Sequence, residues 1–126
     1  MSLTWLLAPS LAYSSESSQV ELKVKASAYN SVAEQTNAQP AIAAWGDELR
    51  PGMKVVAVSR DLLRDGLTYG TKVRIEGLKG LYVVMDKMNK RWSRKIDIYM
   101  GENVEAALEW GVRDVTIYWQ DPASES

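Results

Sequence analysis

From Gln19 the chain alternates: Val20, Leu22, Val24, Ala26 and Ala28 hold one parity, while Glu21, Lys23, Lys25 and Ser27 hold the other. Successive side chains of a strand point to opposite faces, so this stretch predicts a long strand buried on one side. Met53 to Val58 is apolar almost throughout and predicts a strand covered on both faces. Val73 and Ile75, set between Lys72, Arg74 and Glu76, predict another, and Val115, Ile117 and Trp119 predict a last one. The stretch from Leu81 to Gly101 organises the rest. It holds two more apolar runs, Leu81 to Met85 and Ile96 to Met100, joined by a loop dense in lysine and arginine.

Turn residues punctuate these runs at Arg50-Pro51-Gly52, Asp65-Gly66, Tyr69-Gly70 and Gly77 to Gly80. Ser59 is placed to cap a short helical turn through Asp61, Leu62 and Leu63. A second helix is predicted over Glu102 to Trp110, with Val104, Ala107 and Leu108 on its apolar face and Gly111 as its stop. About six short strands with one or two short helices predict a mainly β fold closed, or nearly closed, into a small barrel. An open α/β sheet would need more helices than the pattern supplies.

The ends read differently. Leu3, Trp5, Leu6, Leu7, Ala8 and Leu11 form a short apolar run, and Ser10-Leu11-Ala12 has the small-x-small form of a signal-peptidase site, although no basic residue precedes it. Residues 1–18 therefore read as a truncated signal peptide and serine-rich lead-in, residues 19–120 as the domain, and residues 121–126 as a polar tail. A mature segment packed on the domain is the alternative for the N-terminal run. About ten apolar residues are too few to span a bilayer, so the expectation is export to the periplasm or cell envelope without a transmembrane helix.

Composition sharpens this. The 126 residues are 46% hydrophobic and 25% charged, which fits one globular domain. There is no histidine and no cysteine, so Ser-His and Cys-His nucleophiles, the usual zinc sites and disulfides are excluded. Acid–base work falls to Asp, Glu, Lys and Tyr. No cofactor is implied, and a divalent ion held by Asp86 and Asp97 stays open without being implied. A net charge of −1, with basic residues bunched in one loop, disfavours a nucleic-acid partner but allows a local anion site.

Two aspartates stand out. Asp86 closes the first run of the organising stretch, and Asp97 shares with Tyr99 the strand face opposite Ile96 and Ile98. A carboxylate so placed is costly unless solvated, paired or used. Lys87, Lys90, Arg91, Arg94 and Lys95 surround Trp92 in the connecting loop, where Lys87 and Lys95 are candidates to hold an anion and Trp92 to stack on a ligand. Trp45 is a further stacking candidate; Trp110 and Trp119 lie on periodic apolar faces and read as core.

The series Ala28-Tyr29, Gln35-Thr36, Ala44-Trp45-Gly46, Val56-Ala57-Val58, Gly70-Thr71-Lys72-Val73, Val84-Met85-Asp86 and Ile96-Asp97-Ile98-Tyr99 resembles the three-aspartate (3D) domain, from about Val24 to Trp119. The resemblance implies a six-stranded double-psi β-barrel, as in the catalytic barrel of membrane-bound lytic transglycosylase A. It implies peptidoglycan glycan strands as the partner and cleavage between N-acetylmuramic acid and N-acetylglucosamine. Asp97 falls on the family's general acid and base, and Asp86 on its middle aspartate. Tyr29, Thr36 and Tyr99 fall within motifs bordering the groove. The first aspartate is replaced: Ala57-Val58 is followed by Ser59, with Asp61 two residues on, which makes Ser59 and Asp61 the candidates for its substrate-binding place. The family's glycine-rich loop is also replaced, by Asp86-Lys87-Met88-Asn89. A wall-binding barrel without turnover stays open beside the enzyme.

The chemistry is consistent with one carboxyl group. In a lytic reaction the sugar's own C6 hydroxyl attacks C1, so a single acid can first donate a proton and then accept one. Apolar neighbours such as Ile96 and Ile98 favour the protonated form that this role requires.

Overall fold

The computed structural model describes residues 19–31 and 41–121. The expected signal peptide and lead-in, Thr36 and residues 122–126 of the expected tail lie outside them.

The alternating N-terminal stretch forms β1 (Gln19–Tyr29), followed by a two-residue pair, β2 (Ala41–Ile42) and β3 (Glu48–Leu49). Then come β4 (Val55–Val58), α1 (Arg60–Arg64), β5 (Lys72–Ile75), β6 (Leu81–Lys87), β7 (Lys95–Tyr99), α2 (Val104–Trp110) and β8 (Arg113–Gln120). Six strands close into a barrel in the order β1-β7-β4-β6-β5-β8, and β2 and β3 make a separate ribbon. Two pairings are parallel, β1 with β7 and β4 with β6; the other barrel pairings are antiparallel. Parallel neighbours cannot be joined by a hairpin. The chain therefore crosses over between them, and the register sets the end of β6 and the start of β7 on either side of Val58 in β4.

The inward parity is apolar on every barrel strand. Val24 and Ala26, Val56 and Val58, Val73 and Ile75, Val84, Ile96 and Ile98, and Val115 and Ile117 meet in one core, each no more than 4% exposed. Leu62 from α1 and Trp110 from α2 pack into it. The continuous apolar run of β4 is buried at all four positions, because its outer face lies under other residues as well. Part of that cover is a second cluster outside the barrel wall, where Ala43 and Leu49 of the ribbon segment meet Val55 and Tyr99. The sequence pattern did not reveal this ribbon, since two-residue strands have no readable period.

Two local expectations are corrected. In α2, Val104 and Leu108 are exposed, Leu108 at 77%, and Trp110 is the buried residue. The helix is fixed by its last residue: Trp110 Nε1 donates to the Ala26 carbonyl at 3.1 Å, which turns the Val104–Leu108 edge outward. Asn103 is its N-cap, accepting from Ala106 N–H at 2.9 Å. Ser59 stands at the N-cap position of α1 but makes no side-chain capping bond; its hydroxyl accepts from the Lys95 N–H at 3.0 Å instead.

The end of β1 is pinned where the site begins. Ser31 N–H and Asn30 Nδ2 both donate to the Gly101 carbonyl, at 2.9 and 3.1 Å. Gly101 has φ +58°, and a Cβ there would meet Pro51 Cα at 3.0 Å, so the close approach needs glycine.

Candidate functional site

Strand register builds the site. On the outer barrel wall Ser27 of β1 pairs with Asp97 of β7, Asp97 pairs with Ala57 of β4, and Ala57 pairs with Asp86 of β6. Four neighbouring strands thus contribute one residue each to a single row. Asp97 faces outward because Ile96 and Ile98 take the core parity. Asp86 reaches the row through an irregularity: Val56 pairs with Val84, but the next β4 residue, Ala57, pairs with Asp86, so β6 carries one extra residue, Met85. Without that bulge Met85 would stand opposite Ala57. Two strand spacings, about 10 Å, separate the Asp97 and Asp86 backbones, with only the methyl group of Ala57 between.

That gap is the floor of a recess of about 210 Å³ lined by Tyr29, Ala57, Asp86, Lys87, Met88, Asn89, Trp92 and Asp97. The volume is below the roughly 300–1,000 Å³ of an enclosed small-molecule pocket.

The two carboxylates are held differently. Asp86 Oδ1 accepts from the backbone N–H of Ala44 at 2.8 Å and of its neighbour Lys87 at 3.0 Å, and Oδ2 accepts from the Tyr29 hydroxyl at 3.3 Å. It is a well-anchored acceptor that ties the β2–β3 segment to the barrel. Asp97 Oδ1 accepts from the Ser27 hydroxyl at 2.9 Å, and among the described residues Oδ2 carries no hydrogen bond. Burial pushes the Asp97 carboxyl above its ordinary range; the Ser27 hydrogen bond and the Lys95 charge pull it down, and the Asp86 charge pushes it up. Burial, then the charges of Asp86 and Asp97, also drive the Tyr29 phenol upward, so Tyr29 stays a protonated donor between them.

The connecting loop is fixed to this floor from both ends. Met88 N–H donates to the Val58 carbonyl at 2.9 Å, and Arg60 Nε donates to the Met88 carbonyl at 3.1 Å. At the far end Asp61 accepts from the Arg94 N–H at 3.0 Å, where Arg94 has φ +50°. Partial burial works against ionisation of Asp61, but hydrogen bonds from the Ser59 hydroxyl and backbone N–H groups hold it below its ordinary range. Between these anchors Trp92, 37% exposed, has the Lys95 ammonium 3.7 Å from its ring centroid. Trp45 stands on the other flank, with Lys87 Nζ 5.4 Å from its ring centroid.

Of the residues singled out from sequence, Asp97, Asp86, Tyr29, Lys87 and Trp92 line the recess together. Lys95 acts through Trp92 and on the charge of Asp97. Tyr99 is buried beneath it, bonded to the Ser31 hydroxyl, with its ring centroid 5.4 Å from that of Tyr29. Ser59 is wholly buried and Asp61 fastens the loop, so neither lines the recess. Ser27, Ala57 and Asn89 were not singled out as site residues, although Ala57 and Asn89 lie in stretches compared with the 3D domain and Ser27 lies on the polar parity of β1.

No family model matches the chain, and no curated protein does. Solved structures do. The apo expansin of Clavibacter michiganensis aligns at a TM-score of 0.55 and 19% identity, over 82% of this chain and 52% of that one. The Streptomyces papain inhibitor aligns at 0.55 and 17% identity, over 79% of this chain and 93% of that one. The chain spans about half the length of the expansin. These likenesses place it, by fold, among small barrels of the kind found in expansin and in the papain inhibitor.

Proposed function

We propose that the chain is an exported double-psi β-barrel of the three-aspartate type that binds a cell-wall polysaccharide, with peptidoglycan glycan strands as the expected ligand. The observation that carries this is the row Ser27–Asp97–Ala57–Asp86, an outward strip of hydrogen-bonding groups interrupted by one methyl group and flanked by Trp92. A sugar ring offers hydroxyls to carboxylates and an apolar face to an aromatic ring, and this strip supplies both. The barrel shared with the Clavibacter expansin supports the reading at the level of the fold. Purified sacculi test it: they should retain the wild-type protein and release Trp92→Ala and Ala57→Leu, and equal retention of all three would refute it.

A second reading, lytic cleavage, is favoured by one observation, the uncommitted Oδ2 of a carboxyl group whose burial favours its protonated form. The Asp97 proton would pass to the bridging oxygen as the bond from that oxygen to C1 breaks. The C6 hydroxyl would then add to C1 and return its proton to Asp97, giving a 1,6-anhydro sugar with no water consumed. Asp86, held in place by three donors, would with Tyr29 position the ring. Mass analysis of sacculi after incubation separates the readings: 1,6-anhydromuropeptides that vanish with Asp97→Asn mark turnover, and retention without soluble product marks binding alone.

A further inference from the structure

The outer wall formed by β6, β5 and β8 carries a second cavity, of about 650 Å³, that does not contain the aspartates. Its floor is again set by register: Arg74 stands opposite Leu81 on one side and Tyr118 on the other, and Lys72 precedes it on the same face of β5. The Arg74 guanidinium lies 4.2 Å from the centroid of the Tyr118 ring. That contact restrains the guanidinium and leaves its N–H edges for a planar anion. Neither Lys72 nor Arg74 has an ion-pair partner among the described residues, and no carboxylate is among the described residues that line the cavity. Leu81, 52% exposed, adds an apolar wall. Trp119 also lines the cavity and has a buried indole N–H without a hydrogen-bond partner among the described residues.

This cleft runs toward the recess. Gly70 N–H donates to the Val84 carbonyl at 2.7 Å, and Val84 N–H to the Thr71 carbonyl at 3.0 Å, which lays the turn before β5 along β6. Tyr69 in that turn meets Trp45 edge-on, with ring centroids 5.2 Å apart, and Trp45 carries Lys87 of the recess. Strand β6 therefore ends in one cavity at Leu81 and in the other at Asp86 and Lys87, about 20 Å of track at the usual rise per residue.

We propose that the cleft is a second saccharide subsite selective for an acidic sugar, whose carboxylate is received by Arg74 and Lys72 while its apolar face rests on Leu81. That the ligand is a saccharide rests on the reading of the recess given above; that it is anionic rests on the cleft alone. The test is a nitrogen-15 NMR titration with tetragalacturonate and its carboxyl-reduced counterpart, following the indole N–H signals of Trp119 and Trp92. Tetragalacturonate should move the Trp119 signal and bind about tenfold more tightly than the reduced probe, as expected for one charge-assisted bidentate contact. The double variant Lys72→Gln, Arg74→Gln should lose that preference while its spectrum stays folded and the Trp92 response persists. Equal affinities, or a preference surviving in the double variant, would overturn the proposal, as would a silent Trp119 beside a responding Trp92. A responding Trp119 beside a Trp92 silent to both probes would leave the acidic subsite standing, while the reading of the recess is tested separately by retention on sacculi.

Discussion

Asp97 and Asp86 flank Ala57 in one cross-strand row, and their different surroundings give them different tasks. Asp86 spends its oxygens on two backbone N–H groups and a phenol. Among the described residues, Asp97 keeps one oxygen free of hydrogen bonds, in a setting that disfavours its charge.

The first consequence concerns pH. A carboxyl whose folded pKa lies above its unfolded value binds its proton more readily in the folded state, so its contribution to stability is complete at low pH and lost as pH rises through the folded value. Asp97→Asn removes this penalty. It should melt above the wild type at pH 8, with the gap closing as pH falls toward the ordinary value of 3.8. Parallel melting curves across that range would contradict the assignment.

Asp86→Ala strips three donors of their acceptor. Leaving such groups unpaired costs about 1–3 kcal/mol, to be read from urea unfolding. Hydrogen exchange should speed up first at the Ala44 and Lys87 amides, because those N–H groups lose their partner.

Ser59→Ala should cost about 1 kcal/mol by unfolding and leave ligand binding unchanged, since the hydroxyl is buried against the Lys95 N–H outside the recess. Weakened binding at unchanged stability would return Ser59 to the site.

The helix offers a contrast within three residues. Leu108→Gln should shift stability by less than about 0.5 kcal/mol, as expected for an exposed position, whereas Trp110→Ala should cost about 3–5 kcal/mol through core volume and the lost bond to Ala26.

Much of this architecture was legible in the chain. Strict alternation marked β1 and β8, and the unbroken apolar run marked β4, because burial on one face or both leaves a simple period. Asp97 was legible as a carboxylate set between two core isoleucines. The place of Asp86 opposite Ala57 was not, because it depends on one extra residue in β6 that only pairing with β4 defines. The face of α2 misled for a related reason: Val104 and Leu108 sit at helical spacing, yet Trp110 reaches the core and sets the rotation. Ser59 carried the resemblance to an aspartate position, and nothing local told that its hydroxyl would be buried against β7.

The most direct test is calorimetric titration of a purified N-acetylglucosamine–N-acetylmuramic acid tetrasaccharide into the wild type and Ala57→Leu. A leucine at the floor fills the gap between the two aspartates while leaving both carboxyl groups in the protein, and circular dichroism checks that the barrel remains. Saturable binding by the wild type, weakened at least about tenfold by the substitution, is the predicted result; no heat with the wild type, or the same affinity in both, would contradict a saccharide site at this row.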